Sequence, residues 1–252
     1  MNQDIPLHTN LPDPGWGDQD RPEKATAIFT TLRLMMGLDF SNGSYWVDVG
    51  CGCGEIAAHL ATQVGRITAI DPSPWQRWLT LKEAHPNLEF IQGDYTGDYP
   101  EPGSVDVVVC NQVYEHVPDP EALIGYIYRI LKPGGYAYFA GPNLLFPIEP
   151  HVFWPFVHWL PRRFAVRLMK LCGAKYVIDA NSVSIWKLRR WLNKFKVINA
   201  VPTILQHPDD YGRAGLFWRV FRLIPLHILD HLTAISPGFV FILHKQKSHQ
   251  GT

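Results

Sequence analysis

The chain has 252 residues, 46% hydrophobic and 18% charged, with 23 Lys+Arg set against 23 Asp+Glu. That length and apolar content bury one sizeable core, and the formal charge of zero excludes both wholesale disorder and a uniformly basic nucleic-acid surface. The even total conceals a division: residues 1–150 carry 8 Lys+Arg and 19 Asp+Glu, residues 151–252 carry 15 and 4, so the two parts have different electrostatic tasks.

Residues 1–22 read as a polar arm rich in Pro, Gly and Asp, where a signal peptide would show a basic start and an apolar run. The spacing of Ala27, Ile28, Leu32, Leu34 and Met35 predicts an amphipathic helix over 23–36. A short apolar strand over 46–49 then runs into glycines. Helix 55–64, strand 66–70, helix 74–84, strand 88–92 and strand 105–110 follow, the last with the near-continuous apolar character of a strand covered on both faces. Helix 120–131 opens on Pro120, and Lys132-Pro-Gly-Gly135 reads as a break before a strand over 136–141.

Strands separated by helices in this way require right-handed crossovers, so the predicted class is α/β, a Rossmann-like sheet, seven-stranded and mostly parallel, with helices on both faces. After Pro142 the alternation stops for an aromatic, basic section over 146–174. It resumes with helix 184–195 and strand 196–201, and stops again over 203–236 before a last strand over 239–244 closes the sheet. The expectation is one domain over 23–252 with a binding core at 44–142, the two interruptions forming a helical C-terminal cap between late strands. Four cysteines, two of them as Cys51-Gly-Cys53, fit neither a disulfide framework nor a zinc site, so no metal is expected and a reducing cytosol is. No stretch reaches the roughly 20 uninterrupted apolar residues of a spanning helix, because Arg162, Arg163, Arg167, Arg219 and Arg222 interrupt the greasiest parts.

In an open parallel sheet, ligands sit beyond the carboxyl ends of strands where strand order reverses. There the sequence places Asp48-Val-Gly50-Cys-Gly52-Cys-Gly54-Glu55, then Asp71, then Gly93-Asp94, then Asn111-Gln112. Glycines at every second position let the backbone turn sharply and approach a ligand closely. A dinucleotide site needs G-x-G-x-x-G for its pyrophosphate, whereas this turn is G-x-G-x-G. Asp48, two residues before the first glycine, would repel a diphosphate and welcome an amino group.

These ordered segments resemble the class I methyltransferases that use S-adenosylmethionine (SAM), in the methyltransferase type 11 group with its quinone and small-molecule methyltransferases. Val47-Asp-Val-Gly-Cys-Gly-Cys-Gly-Glu55 matches the first motif, Ala69-Ile-Asp71 the second, Gln92-Gly-Asp94 the third, and residues 105–118 with Leu131-Lys-Pro-Gly-Gly135 the later ones. The resemblance implies SAM as cofactor and S-adenosylhomocysteine as product. It implies Gly50, Gly52 and the Cys51 backbone along the methionine moiety, with Asp48 orienting its amino group directly or through water. Asp71 would accept the ribose hydroxyls, Asp94 would face the adenine amino group with Tyr95 beside it, and Pro72 would pack on the ring. Asn111, Gln112 and Val113 would wall the crevice near the sulfonium. Cys53 stands where the family often has threonine, a mild departure; Cys51 and Cys53 read as small packed residues.

Displacement at a sulfonium needs mainly alignment and exclusion of water, and a general base only when the acceptor carries a proton of high pKa. His116 is the first candidate base and His151, with Glu149, the second; the alternative for His116 is a part in the turn at 117–119. For the acceptor, Leu160, Phe164, Leu168 and Leu171 share one helical face beside Arg163, Arg167 and Lys170, and Phe217, Trp218, Phe221 and Leu223 surround Arg219 and Arg222. Two readings stay open: a lid packing its apolar faces on the sheet, or an interface with an anionic membrane through 154–171 and 215–235.

The section 142–163 is similar to methyltransferases of bacterial surface-glycan or lipid pathways. The reading is O-methylation of a small-molecule, glycan, lipid-linked or quinone-like acceptor by a cytoplasmic protein, peripheral at the inner membrane face. The alternatives are a SAM-binding relative without turnover and, behind it, an NAD-dependent oxidoreductase. No nucleic-acid partner is expected, since Asn111-Gln-Val-Tyr114 stands where Asn-Pro-Pro-Tyr would.

Overall fold

In the computed structural model the described residues are 21–37, 43–149, 152–174, 178, 180–213 and 215–247; the expectations for arm residues 1–20 and for His151 lie outside them. The first element, α1 (Arg21–Met36), begins two residues before the apolar periodicity does. Then come β1 (Tyr45–Val49), α2 (Glu55–Ala61), β2 (Arg66–Asp71), α3 (Arg77–Ala84), β3 (Leu88–Gln92), β4 (Val105–Asn111), α4 (Pro120–Ile130) and β5 (Leu131–Pro142). The later part holds α5 (Arg162–Leu171), α6 (Ile185–Trp191), β6 (Lys196–Asn199), α7 (Val201–Gln206), α8 (Leu216–Arg219), α9 (Leu226–Leu232) and β7 (Gly238–His244).

The seven strands lie in the order β3-β2-β1-β4-β5-β7-β6. The first five are parallel, and β7 runs antiparallel between β5 and β6. The chain works outward from β1 to β3 and returns to β4 on the other flank of β1, so strand order reverses between β1 and β4. Their carboxyl ends therefore diverge into a crevice.

Strand periodicity distributes side chains between two cores. Val47, Val49, Val108, Cys110 and Phe139 face α4 and α6, whereas Trp46, Val107, Val109, Ile67 and Ala69 face α1 and α2. Asp48 shares the parity of Trp46 and so points with that second set. Helices cover both faces, which is why the central strands are apolar throughout.

Three expectations are corrected. Lys132-Pro-Gly-Gly135 is not a break: β5 begins at Leu131, which pairs with Val105, and a register shift before Val107 absorbs the glycines. The ladder persists there because Gly134 N donates to the Lys245 carbonyl and Lys245 Nζ donates to the carbonyls of Tyr128 and Leu131, at 2.8 and 2.6 Å. The last strand does not close the sheet from its edge; it is inserted beside β5, leaving β6 outermost. Residue 201 belongs to α7 and not to a strand, since β6 ends at Asn199, whose Oδ1 accepts from Val201 N.

Both cap insertions rise from the carboxyl edge of the sheet, after β5 and between β6 and β7. A single side chain ties their roots together. Asn143, 1% exposed, sends its Nδ2 to the carbonyls of Thr233, Ala234 and Ser236, accepts Leu145 N on Oδ1, and bridges to Val183 through its backbone. In α5 the residues that turn inward are Ala165 and Met169, which pack with Val157 and Ile178. Phe164, Leu168 and Leu171 face outward at 59, 43 and 80% exposure, so α5 does not lay its large apolar residues on the sheet. No helix among the described residues is long and apolar enough to cross a membrane.

Replacing Asn143 by Ala strands several buried carbonyls at once. We expect a loss of about 1–3 kcal/mol in urea unfolding, with amide exchange accelerated first in 233–237; exchange unchanged there would remove the clamp role.

Candidate functional site

The chain leaves β1 through glycines in the left-handed region, Gly50 at φ 73°, Gly52 at 53° and Gly54 at 89°. Two of them are also sterically compelled. A Cβ on Gly50 would lie 2.5 Å from Val113, and one on Gly54 would lie 2.4 Å from the Phe90 ring. Above Gly52 the space is open: a Cβ there would find Arg21 Nη1 as its nearest neighbour, at 3.9 Å.

The turn spends four of its donors within the protein. Gly50 N and Cys51 N both donate to the Ile70 carbonyl, Gly52 N donates to Asp71 Oδ2, and Gly54 N donates to the Cys51 carbonyl. A pyrophosphate cradle depends on such N–H groups pointing outward. These four do not, which argues against a dinucleotide independently of the glycine spacing. Trp78 Nε1, donating to the Gly52 carbonyl at 2.8 Å, fixes the far side of the turn.

Beyond the turn lies a crevice of about 280 Å³ lined by Gly50, Asp71, Pro72, Gly93, Asp94, Tyr95, Gln112, Val113 and His116 from the residues singled out in the sequence. Asp71, at the end of β2, is held by two backbone donors, Gly52 N and Ser73 N, each at 2.9 Å. Burial nevertheless raises its carboxyl above the ordinary range, the two hydrogen bonds opposing the shift. Asp94 is exposed and accepts the Thr96 hydroxyl and amide on Oδ1, which lowers its pKa. Gln112 sits at φ 58°, unusual for a residue with a side chain, and its N–H donates to the Ala140 carbonyl. That turn carries Val113 over Gly50.

Four expected residues stand apart from the crevice lining: Asp48, Cys51, Gly52 and Asn111. Asp48 does not reach the hollow because strand parity sends its carboxylate to the opposite face of β1, beneath the glycine turn. It is 3% exposed, and Oδ2 is buried without a hydrogen-bond partner. Burial first, then the charge of Asp71, pushes its pKa up to about 8, with Arg21 pulling the other way. The Cys51 thiol is raised too, by burial and then by Asp48, so it is a packed thiol and not a nucleophile.

His116 lines the crevice, 40% exposed, with Nε2 3.9 Å from Oε1 of the fully buried Glu115. In the turn at 117–119, Asp119 accepts Ala122 N as the cap of α4. Glu149 is also fully buried, its Oε2 accepting Val152 N, and it does not line the crevice.

The sequence reading missed Val49, Ile70, Val117, Pro118 and Leu123 on the crevice wall, and Arg21 above the turn. The apolar ones carry no signal that separates a crevice wall from core. Arg21 lay in the supposed polar arm, and its place on α1 brings it to Gly52.

Asp48 yields a test. Its folded-state pKa, about 8, lies above the unfolded value of 3.8, so between those pH values the native state keeps a proton that the unfolded chain has released. Its contribution to stability is therefore lost as pH rises through that window. Urea unfolding of Asp48→Asn, compared with the unaltered chain from pH 5 to 8, is expected to show the variant gaining relative stability with pH; parallel profiles would contradict the buried-acid assignment.

This geometry has counterparts among known proteins. Residues 47–139 match the family model described as a methyltransferase domain. The ubiquinone biosynthesis O-methyltransferase of Xanthomonas oryzae pv. oryzae is 36% identical over 129 residues, 48% of this chain and 53% of that protein. The protein of the same name from Xylella fastidiosa is 30% identical over 176 residues, 65% of this chain and 62% of that one. The match thus spans roughly half to three fifths of these relatives' length. A solved structure, the 1,6-didemethyltoxoflavin-N1-methyltransferase of Burkholderia thailandensis, superposes with a TM-score of 0.52 at 16% identity, over 92% of this chain and 81% of that one. Residues 47–139 are therefore a methyltransferase domain, built into the Rossmann-like class I methyltransferase fold.

Proposed function

We propose that this protein is a SAM-dependent methyltransferase that delivers a methyl group to an oxygen of a small-molecule acceptor. The observation that carries the reading is the inward commitment of four N–H groups of the glycine turn, those of Gly50, Cys51, Gly52 and Gly54, beside an oriented Asp71, which suits a ribose and a cationic amino acid and not a diphosphate. Two further features fit SAM: the open space above Gly52, and the buried, unsatisfied carboxylate of Asp48 under the turn. When bound, SAM supplies a methyl group on a positively charged sulfur that is already an activated leaving group.

The chain's own residues then have distinct tasks. Asp71, aligned by Gly52 N and Ser73 N, accepts the ribose hydroxyls. Arg21, over Gly52, meets the carboxylate end of the ligand, and Asp48, which keeps its proton up to about pH 8 in the free protein, ionises when the cationic end is seated near it. Asp94 faces the adenine amino group, while Pro72, Tyr95, Val117 and Leu123 enclose the ring in apolar surface. His116 takes the acceptor's proton. The Glu115 carboxylate, 3.9 Å from Nε2, stabilises the imidazolium that forms.

The matched relatives named ubiquinone biosynthesis O-methyltransferase support an oxygen acceptor. The basic, apolar cap supports a glycan, lipid-linked or quinone-like molecule within that class.

Two substitutions separate donor binding from chemistry. Asp71→Ala removes charge-assisted hydrogen bonds and should weaken SAM binding about 10- to 100-fold in calorimetry. His116→Ala should leave that affinity intact and slow transfer about 100- to 10,000-fold. Turnover is followed as label moving from SAM into lipid, glycan or small-molecule fractions of a cell extract. Label in none of them, despite SAM binding, would favour a binding protein without turnover; undiminished SAM affinity in Asp71→Ala would overturn the donor site.

A further inference from the structure

We infer that the two cap insertions form a docking face for an anionic lipid bilayer, set at the mouth of the crevice. The inference rests on the methyltransferase reading only for its purpose, presentation of an acceptor to the crevice; the face itself stands on its own observations.

The first observation is exposure with pattern. On α5, Phe164, Leu168 and Leu171 recur at i, i+4 and i+7 and all face outward. Arg163, Arg167 and Lys170 repeat the same spacing one position earlier, exposed beside them. A helix with an apolar stripe to water and basic groups along its flank is suited to lie in an interface, its long cationic side chains reaching the headgroups while the stripe enters the acyl boundary. The second insertion repeats the apolar exposure: Leu216 and Leu223 are 82 and 84% exposed and bracket Phe217, with Arg219 exposed beside them and Arg222 paired with Asp209. Scattered exposed leucines need no explanation, but two such clusters on the strongly basic part of the chain do.

The second observation is position. Both insertions are rooted at Asn143, just past β5. From that corner a short path of hydrogen bonds reaches the crevice: His158 Nε2 to the carbonyls of Leu144 and Phe146, Leu144 N to the Val183 carbonyl, Val183 N to Tyr114 Oη, and Asn181 N to the Glu115 carbonyl. The cap thus sits on the same sheet edge as His116. A bilayer seated there would lie beside the crevice, where an acceptor held in the membrane could enter it.

Charge decides against the competing occupant. An isologous dimer would set α5 against its own copy, basic on basic, because residues 154–171 carry Arg162, Arg163, Arg167 and Lys170 and no Asp or Glu. An anionic leaflet has the complementary sign.

The test is sedimentation of the full chain with vesicles of phosphatidylcholine, with and without phosphatidylglycerol. Binding should require the anionic lipid and fade towards about 1 M salt, where the Debye length is about 3 Å. Two double variants at exposed positions, Leu168→Ser with Leu171→Ser and Arg163→Glu with Arg167→Glu, should each weaken binding about tenfold or more, with SAM affinity unchanged. Absence of binding at low salt, or equal binding by the variants, overturns the inference. So does a dimer in sedimentation velocity without lipid that both double variants dissociate, which would assign the face to a second copy. Vesicle binding in a chain that fails to bind SAM would support the docking face while sinking the methyltransferase reading.

Discussion

The hydrogen bond from Gly52 N to the Asp71 carboxylate, at 2.9 Å, joins the end of β1 to the end of β2 and defines the hollow between them. Gly50 and Cys51 extend that tie by donating to Ile70, the residue before Asp71. The left-handed glycines exist to make these bonds: with Cβ atoms they could neither hold the positive φ nor clear Val113 and Phe90. Everything the crevice does follows from this closure. It orients Asp71, leaves room above Gly52, and withdraws the N–H groups of Gly50, Cys51 and Gly52 from any phosphate.

A buried carboxylate lies under the turn. Asp48 is costly to charge in the absence of a ligand, and the cation of Arg21 offsets only part of that cost. The cationic ligand proposed for the crevice would relieve that cost, and its binding would then be coupled to ionisation of Asp48. Arg21 of α1 brings its guanidinium to the turn, and Ala25, Ile28 and Leu32 anchor that helix on the sheet behind.

The cap obeys a different rule. In the sheet, apolar side chains are consumed by two cores, one on each face. In α5 the core takes only Ala165 and Met169, small or adaptable residues, and the larger ones are left outside. Asn143 satisfies carbonyls of the second insertion and shapes the corner from which the first departs, so one buried amide sets the relation of cap to crevice.

What the linear sequence determined is whatever depends on local spacing. Apolar runs broken by helical periods marked the five parallel strands, the glycines marked the turn, and acids after strands marked Asp71 and Asp94, because backbone geometry and strand ends are short-range properties. Three matters were decided only by tertiary structure. The direction and place of β7 depend on how two insertions return the chain, and a strand's side-chain alternation is the same in either direction. Asp48 went beneath the turn and not into the hollow because parity counts from a strand start that only pairing fixes. The outward stripe of α5 has the same periodicity as an inward one, and only the packing of its neighbours reveals which face is left in water.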